Sequence, residues 1–344
     1  IINIWLVKFN LTSHILIIRL SAFGDVAMTV PAISVLRDNH PGMKITILTT
    51  EFFSTLYNQI PNINFLFFKP KHKSIYGLFH LSRQIMQINP DHIIDLHDVL
   101  RTKILRIFLA FKFNRILVID KGRKEKKCLI DGTIFRRLKT MHQRYADVFS
   151  LEKMNINLEL FNTYSKININ NKIHEFDLNK RLIGIAPFAG HNCKEYSLAN
   201  IIKLIDLIGP SYQILIFGAP GEEEKKIKKI SQEKTNTHII SSNYSLSEQM
   251  AVISNLDVMI SMDSANGHIA SLFGVNVITI WGATHPFTGY GPFNQPHKNS
   301  IIPDLKKFPK VPVTIYGSKC PKDYHNAINS IHPEIIFKRV KQIV

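Results

Sequence analysis

A doubly wound α/β fold is predicted on three observations. Short continuous apolar runs, rich in Ile, Leu and Val, alternate with segments of helical length, the pattern of parallel strands joined by crossover helices. The alternation runs from His14 to Val118, lapses, and restarts at Arg181. At 344 residues the chain is longer than most single cores, so two such units, each with its own sheet, are expected.

The first unit opens on His14–Leu20 (HILIIRL), an uninterrupted apolar strand. Ser21–Asp25 is a turn, and Val26–Asn39 has helical periodicity stopped by Pro41-Gly42. Strands follow at Lys44–Thr49, Asn64–Phe68, His92–Leu96 and Arg115–Val118, with helices at Phe52–Gln59, Leu78–Ile88 and Val99–Phe111 between them. Tyr145–Leu151 is helical, and Asn155–Asp177, rich in Asn and Lys, has the composition of a linker. The second unit begins with strand Leu182–Ala186, turn Pro187–Lys194 and helix Leu198–Ile208. Strand Gln213–Phe217, turn Gly218–Gly221 and helix Glu222–Glu233 come next; this helix places its acids first and its lysines later, as the helix dipole favours. Strand His238–Ser241 and helix Leu246–Asn255 lead to strand Val258–Ser261, polar turn Met262–Gly267, short helix His268–Phe273 and strand Val275–Trp281. The tail holds the segment Val311–Tyr316 and a helix over Pro333–Val344. Ile1–Leu11 is apolar but interrupted by Lys8 and Asn10, and is expected to be an additional strand or tail, not a signal peptide.

Composition narrows the class. No apolar run approaches the ~20 residues a spanning helix needs, and the mean hydropathy is near zero. Cys128, Cys193 and Cys320 are odd in number and widely spaced, which argues against a disulfide framework and suits a reducing cytoplasm. Without a CxxC or HxxxH pair, nothing signals a structural zinc site. The 43 Lys and Arg against 26 Asp and Glu give a net charge of +17. Such a field attracts nucleic acid, anionic membrane or phosphorylated substrates. No nucleic-acid motif accompanies it, so no nucleic-acid partner is expected, though charge alone does not choose among these partners.

The turns carry the chemistry. Ligands of open parallel sheets bind beyond the carboxyl ends of the strands. At one such end stands Asp263-Ser264-Ala265-Asn266-Gly267-His268, whose small side chains uncover backbone N–H groups at a helix start that favours anions. Asp263 or Ser264 taken singly fits a plain helix cap, but the Gly/Thr/His/Pro turn after the next strand makes two adjacent polar turns and hence a pocket. Gly24-Asp25 follows the first strand in the same way; Asp25 either caps its helix or faces a ligand. Gly218 and Gly221 do not have the GxGxxG spacing, so a dinucleotide fingerprint is unsupported. No Asp-x-Asp triplet is present, and Asp95 and Asp98 fit turn and cap carboxylates. Lys121–Arg144 concentrates Arg123, Lys124, Lys126, Lys127, Arg136 and Arg137, either as a solvated basic loop or as a patch for a phosphorylated acceptor or membrane headgroups.

Taken together, DVMISMDSANGHIASLFGVNVITIWGATHPFTGYGP (Asp257–Pro292) resembles the donor-binding end of the ADP-heptose:lipopolysaccharide heptosyltransferases, glycosyltransferase family 9. That family carries an Asp-Ser/Thr-x-x-x-His turn before an Ala-rich helix and then a strand ending in Tyr/Trp-Gly-x-Thr; the matching positions are Asp263, Ser264, His268 and Trp281-Gly282-Ala283-Thr284. RLSAFGDVAMTVPAI (Arg19–Ile33) resembles its opening signature, and IGIAPFAGHNCKEYSLANI (Ile183–Ile201) its second block, with Tyr196-Ser197 where relatives have an aromatic followed by Pro. FGAPGEEEKK (Phe217–Lys226) resembles the block that meets the nucleoside.

The resemblance implies the two-domain glycosyltransferase-B architecture, two Rossmann-like lobes facing a cleft. An acceptor domain over 1–165, a donor domain over 178–325 and a terminal helix over 326–344 packing back on the first are expected. It implies an inverting, metal-independent transfer of heptose from ADP-heptose to the inner core of lipopolysaccharide. In it Asp25 is general base, and Lys194 meets the donor diphosphate. Ala189 and Gly190 shape the same turn, Glu222 (or Glu223 or Glu224) meets the ribose, and Asp263, Ser264, Ala265 and His268 complete the donor site. Neither cofactor nor metal is expected. The partners are a nucleotide-sugar donor and a lipid-linked acceptor, with a monomer working in the cytoplasm against the inner membrane surface. Two rivals stay open: a nucleotide-sugar epimerase or hydrolase on the same fold, and a basic nucleotide- or nucleic-acid-binding protein without catalysis.

Overall fold

The computed structural model describes residues 13–169, 176–177, 180–231 and 234–344; the expected N-terminal strand over Ile1–Leu11 lies outside them. Two compact units are present. One comprises the described residues through Lys121 together with His142–Phe161. The other comprises Gly122–Met141 and the described residues from Asn162 to Val344.

In the first unit β1 (His14–Ile18) leads to α1 (Phe23–Ala27) and α2 (Val30–Asn39), then β2 (Lys44–Thr49), α3 (Glu51–Ser54), β3 (Ile63–Phe67), α4 (Ile75–Ile88), β4 (His92–Asp95), α5 (Leu100–Leu109) and β5 (Ile116–Val118). The strands form one sheet in the order β3-β2-β1-β4-β5, parallel at each pairing. Every residue of β1 is buried, as a strand covered on both faces must be. One face packs Leu16, Ile18 and Ile93 against Leu78, Leu81 and Ile85 of α4 and Leu105 and Leu109 of α5. The helix expected as one piece over Val26–Asn39 is broken: the Thr29 hydroxyl donates to the Val26 carbonyl at 2.7 Å and α2 starts anew with Pro31 in its first turn, where proline is tolerated. α4 is longer than its periodicity suggests, because Ser74 caps it from outside, its hydroxyl accepting from Gly77 N–H at 3.0 Å.

Between the units in sequence come α6 (Arg123–Ile130) and α7 (Met141–Ser150). The stretch Lys121–Arg144, read as a solvated loop or a patch, thus contains α6 and enters α7 at Met141, and Gly122–Met141 groups with the second unit instead of the expected 1–165 domain. The physical reason is pairing with a second-unit loop: Leu138 N–H donates to the Phe287 carbonyl and Met141 N–H to the Gly289 carbonyl, at 2.9 and 2.8 Å.

The second unit runs β6 (Leu182–Ala186), α8 (Leu198–Ile208), β7 (Gln213–Phe217), α9 (Glu222–Ser231), β8 (Thr237–Ile240), α10 (Leu246–Ser254), β9 (Val258–Met262), α11 (Ala265–Leu272), β10 (Asn276–Ile280), β11 (Ser300–Ile301) and α12 (Pro333–Val340). Its sheet order is β11-β10-β9-β6-β7-β8, again parallel. The terminal helix corrects an expectation. Ile336 and Val340 of α12 lie in the second unit's own core with Ile201, Leu204 and Ile205 of α8, and Tyr196 donates its hydroxyl proton to the Ile331 carbonyl just ahead of the helix. Residues 326–344 thus complete the second core, burying their apolar stripe there. Among the described residues no helix is long and apolar enough to cross a membrane.

Candidate active site

Both sheets reverse strand order beside their first strand, between β1 and β4 in one and between β6 and β9 in the other. A crevice opens at such a switch point, outside the carboxyl ends of the strands. Asp25, Lys194, Asp263 and Ser264 fall at these strand ends.

In the second unit, β6 ends at Ala186 and runs into Pro187–Gly190 and a single 3₁₀ turn, Asn192–Lys194. β9 ends at Met262 beside it. Lys194 Nζ lies 2.8 Å from Asp263 Oδ2, with both side chains largely buried. Two residues 69 positions apart in sequence are thereby joined as one charged pair across the switch point. An ammonium has three donors, so Lys194 can hold Asp263 and still offer protons to an anion. Ser264 occupies the N-cap position of α11 but makes no side-chain cap, and its Oγ is buried without a hydrogen-bond partner. Neither Asp263 nor Ser264 is thus the plain helix cap each could have been. Helix α11 starts at Ala265, three residues before the expected start, so His268 is in its first turn, buried.

The turn after β10 closes on the same place. Ala283 N–H reaches the Cys193 carbonyl at 3.3 Å, and a Cβ on Gly282 would stand 2.3 Å from that oxygen. Only glycine allows the two turns to approach so closely. Thr284 Oγ1 and Trp281 Nε1, both buried, lack hydrogen-bond partners. Buried polar atoms are normally satisfied, so their grouping with Ser264 Oγ at one sheet edge suits a polar ligand. Beyond them His285 accepts from Phe287 N–H at 3.1 Å; burial, reinforced by Arg137, pulls its imidazole down to about 4.

Other expected donor residues are placed differently. Ala189 N–H donates to Glu195 Oε1 at 3.3 Å, and Gly190 is exposed. Glu222 is exposed and pairs with Lys225 at 2.6 Å on its own helix. Of its two alternatives, Glu223 accepts from Ala219 N–H at 2.7 Å. Glu224 accepts from the Ser241 hydroxyl at 3.1 Å, and Lys228 and Ser242 hold its carboxyl down to about 2. Glu224 lines a cleft with Ser241 and Ser242 beyond β8.

The basic stretch is not uniformly exposed. Lys126 is buried, donating to Tyr290 Oη at 3.0 Å and lying 4.3 Å above that ring. Arg137 is engaged with His297. Arg123, Lys124, Lys127 and Arg136 are exposed.

The cysteine expectation is overturned. Cys193 and Cys320, 127 residues apart, are bonded to each other, because the loop after Gly317 passes beside the Lys194 turn: a Cβ on Gly317 would meet the Lys194 side chain. His325 stands close to both sulfurs, but their bond to one another occupies the thiols.

In the first unit, Asp25 lies in the first turn of α1, whose N-cap is Ala22 with no side-chain cap. Its Oδ2 is 2.7 Å from Arg19 Nη2, and Arg19 is 2% exposed against 25% for Asp25. Arg19 also donates to the Leu96 carbonyl at 2.7 Å and faces the Tyr145 ring at 5.5 Å. A rigid buried guanidinium therefore fixes a carboxylate whose other edge is open. Across the switch point, His97 Nε2 is 3.3 Å from Ser21 Oγ. Burial first, then Arg19, Lys121 and Arg101, lowers His97 to about 3, so it is neutral at ordinary pH. Asp95 accepts from the N–H groups of His97 and Asp98 and pairs with Arg106 at 2.8 Å, the turn role expected of it. Sequence reasoning missed Arg19 and His97. The available signals were a lone charge at the end of HILIIRL and a histidine directly after the fourth strand.

The sequence profile of "Glycosyltransferase family 9 (heptosyltransferase)" matches residues 78–314. Lipooligosaccharide heptosyltransferase 2 of Campylobacter jejuni is 20% identical over 325 residues, covering 93% of this chain and 96% of the relative. A solved glycosyl transferase family 9 structure from Veillonella parvula superposes with a TM-score of 0.73 at 20% identity, over 96% of this chain and 97% of that one. The E. coli ADP-heptose lps heptosyltransferase II gives 0.70 at 15% identity, over 96% and 98%. The likeness spans both units, as the expected glycosyltransferase-B fold requires.

Proposed function

The chain belongs to glycosyltransferase family 9, and from that premise we propose an inverting transfer of heptose from ADP-heptose to the lipid-linked inner core of lipopolysaccharide. The observation that carries this reading is the Lys194–Asp263 pair at the second switch point, beside the α11 start. A nucleoside diphosphate leaving group gains negative charge as its bond to the sugar breaks, and fixed cations and N–H dipoles aimed at it lower the barrier. Lys194 supplies the cation, held in place by Asp263. The N–H groups at the start of α11 supply the dipole, and the buried hydroxyls of Ser264 and Thr284 complete the anion's partners. These groups replace a divalent ion, so transfer proceeds in the presence of a chelator.

Asp25 supplies the proton acceptor. In the productive complex it takes the proton of the acceptor hydroxyl as that oxygen forms its bond to the anomeric carbon and the diphosphate oxygen departs. A single displacement inverts the anomeric configuration. Such a base needs hydrogen-bond reach and a fixed aim, and Arg19 provides the aim. The acceptor is phosphorylated and lipid-linked, in keeping with the +17 charge, and the protein works at the cytoplasmic face of the membrane as a monomer.

A donor screen tests the reading. ADP should bind and raise the thermal midpoint more than UDP or GDP, and ADP-heptose should turn over rapidly only with acceptor present, with EDTA added. A clear preference for UDP or GDP would refute the heptose assignment; rapid consumption of donor without acceptor would refute transfer.

A further inference from the structure

Helices α4 and α5 cover one face of the first sheet, and their inward stripes are filled by the core. Their outward face is unusual for a surface helix pair, where polar and charged residues normally stand. Ile75, Tyr76 and Phe79 of α4 are exposed, at 67, 72 and 45%. Leu100 and Ile107 of α5 are exposed too, and Phe111 just past its end is 87% exposed. The two sets meet across the helix seam, where the Phe79 and Phe108 rings are 5.6 Å apart. Exposed lysines frame them: Lys71 and Lys73 ahead of α4, Lys103 within α5 and Lys112 behind it. Neither residues 70–90 nor residues 99–119 contain a single Asp or Glu.

We infer that this α4–α5 face seats the protein on an anionic lipid bilayer. A contiguous exposed apolar surface marks an interaction site, and an acid-free lysine frame selects a negative partner. Nucleic acid would satisfy the lysines but not the six apolar side chains. A bilayer interface satisfies both, taking the aromatic and aliphatic tips among the acyl chains and the lysines among the headgroups. The inference deepens the proposed lipid-linked acceptor by naming the docking surface, and moves it away from residues 121–144, where Lys126 is buried and Arg137 engaged.

The test is flotation of the purified chain with vesicles of phosphatidylcholine alone or mixed with phosphatidylglycerol. The chain should float with the mixed vesicles, less with neutral ones, and less at high salt. Because Leu100, Ile107 and Phe111 are exposed, their joint replacement by Ser should leave the thermal midpoint unchanged while weakening binding at least about tenfold. Replacing Lys71, Lys73 and Lys103 by Gln should cost about fivefold for each, roughly a hundredfold together, on anionic vesicles only. Replacing Arg123, Lys124, Lys127 and Arg136 by Gln should change binding less than about twofold, since those residues lie off this face. Absence of flotation, or its loss in the last variant and retention in the first two, overturns the inference. So does light scattering that shows the α5 variant converting a dimer to a monomer without changing flotation, since a second copy would then cover the face. ADP binding by calorimetry should be unchanged in all three variants. A wild-type chain that floats as described but ignores ADP sinks the transferase reading and leaves this one standing.

Discussion

Asp25 is held by its neighbour Arg19, and the character of that contact decides what a substitution will show. Asn at position 25 keeps the shape and one hydrogen bond from the guanidinium but cannot take a proton. Asp25→Asn should therefore lower kcat by about 10²–10⁴ with ADP affinity and thermal midpoint little changed. Loss of activity in step with loss of folded protein would instead make the pair structural. In the second unit the Lys194–Asp263 pair sets up a different measurement. Lys194→Ala should weaken ADP binding by about 1–3 kcal/mol, the worth of a hydrogen bond to a charged group. Asp263→Ala should weaken it as well, by releasing Lys194 from its position. Because the two side chains touch, the double variant should fall short of the sum by about 0.5–3 kcal/mol. Additive losses by calorimetry would mean that the two contact ADP independently, or that only one does.

The turns that carry these residues owe their shape to close backbone approach. Gly282→Ala puts a methyl 2.3 Å from the Cys193 carbonyl oxygen, a backbone atom in a turn also bonded to Cys320. Something must shift, and the nearest movable part is the turn bearing Lys194. The variant should bind ADP more weakly and melt lower, and an unchanged affinity would show that Lys194 does not depend on this contact. At this scale the sequence is most legible where burial is complete. Strands Leu182–Ala186 and Gln213–Phe217, buried throughout, were expected with the bounds they have, because a strand covered on both faces is a nearly unbroken apolar run. Asp263, Lys194 and Asp25 were legible through ordered motifs, but only as positions. That Lys194 faces Asp263 and Asp25 faces Arg19 depends on strand order, which no local pattern encodes. α6 was hidden because a helix whose outward side is nearly all Lys and Arg resembles a solvated loop in composition. The start of α11 was hidden because Ala-Asn-Gly imitates a turn. The Cys193–Cys320 bond escaped because spacing in sequence says nothing of two loops that meet after folding.

Across the whole molecule, acid should act through buried histidines before it acts through carboxylates. His97 in the first unit is held near 3 and His285 in the second near 4, while in the unfolded chain both take protons near 6.5. His14, His40 and His72 are lowered as well, by burial first. Between those folded values and 6.5 the unfolded chain binds more protons than the folded one, so stability falls as pH falls. Above about 6.5 the histidines contribute no slope. At pH 5 the deficit is about 2 kcal/mol for His97 and about as much for His285, from 1.36 kcal/mol per pH unit. Glu224, lowered from 4.5 to about 2 by Lys228 and Ser242, acts in the same direction, but only as pH falls below about 4.5. The thermal midpoint should thus be flat above pH 7 and decline steadily from 6.5 to 5. His97→Gln and His285→Gln, which cannot take the proton, should each reduce that decline whatever they do to the midpoint at pH 7.5. A midpoint level down to pH 5, or a decline untouched by either substitution, would show that these imidazoles are protonated in the folded chain and that the desolvation argued for both switch points is wrong.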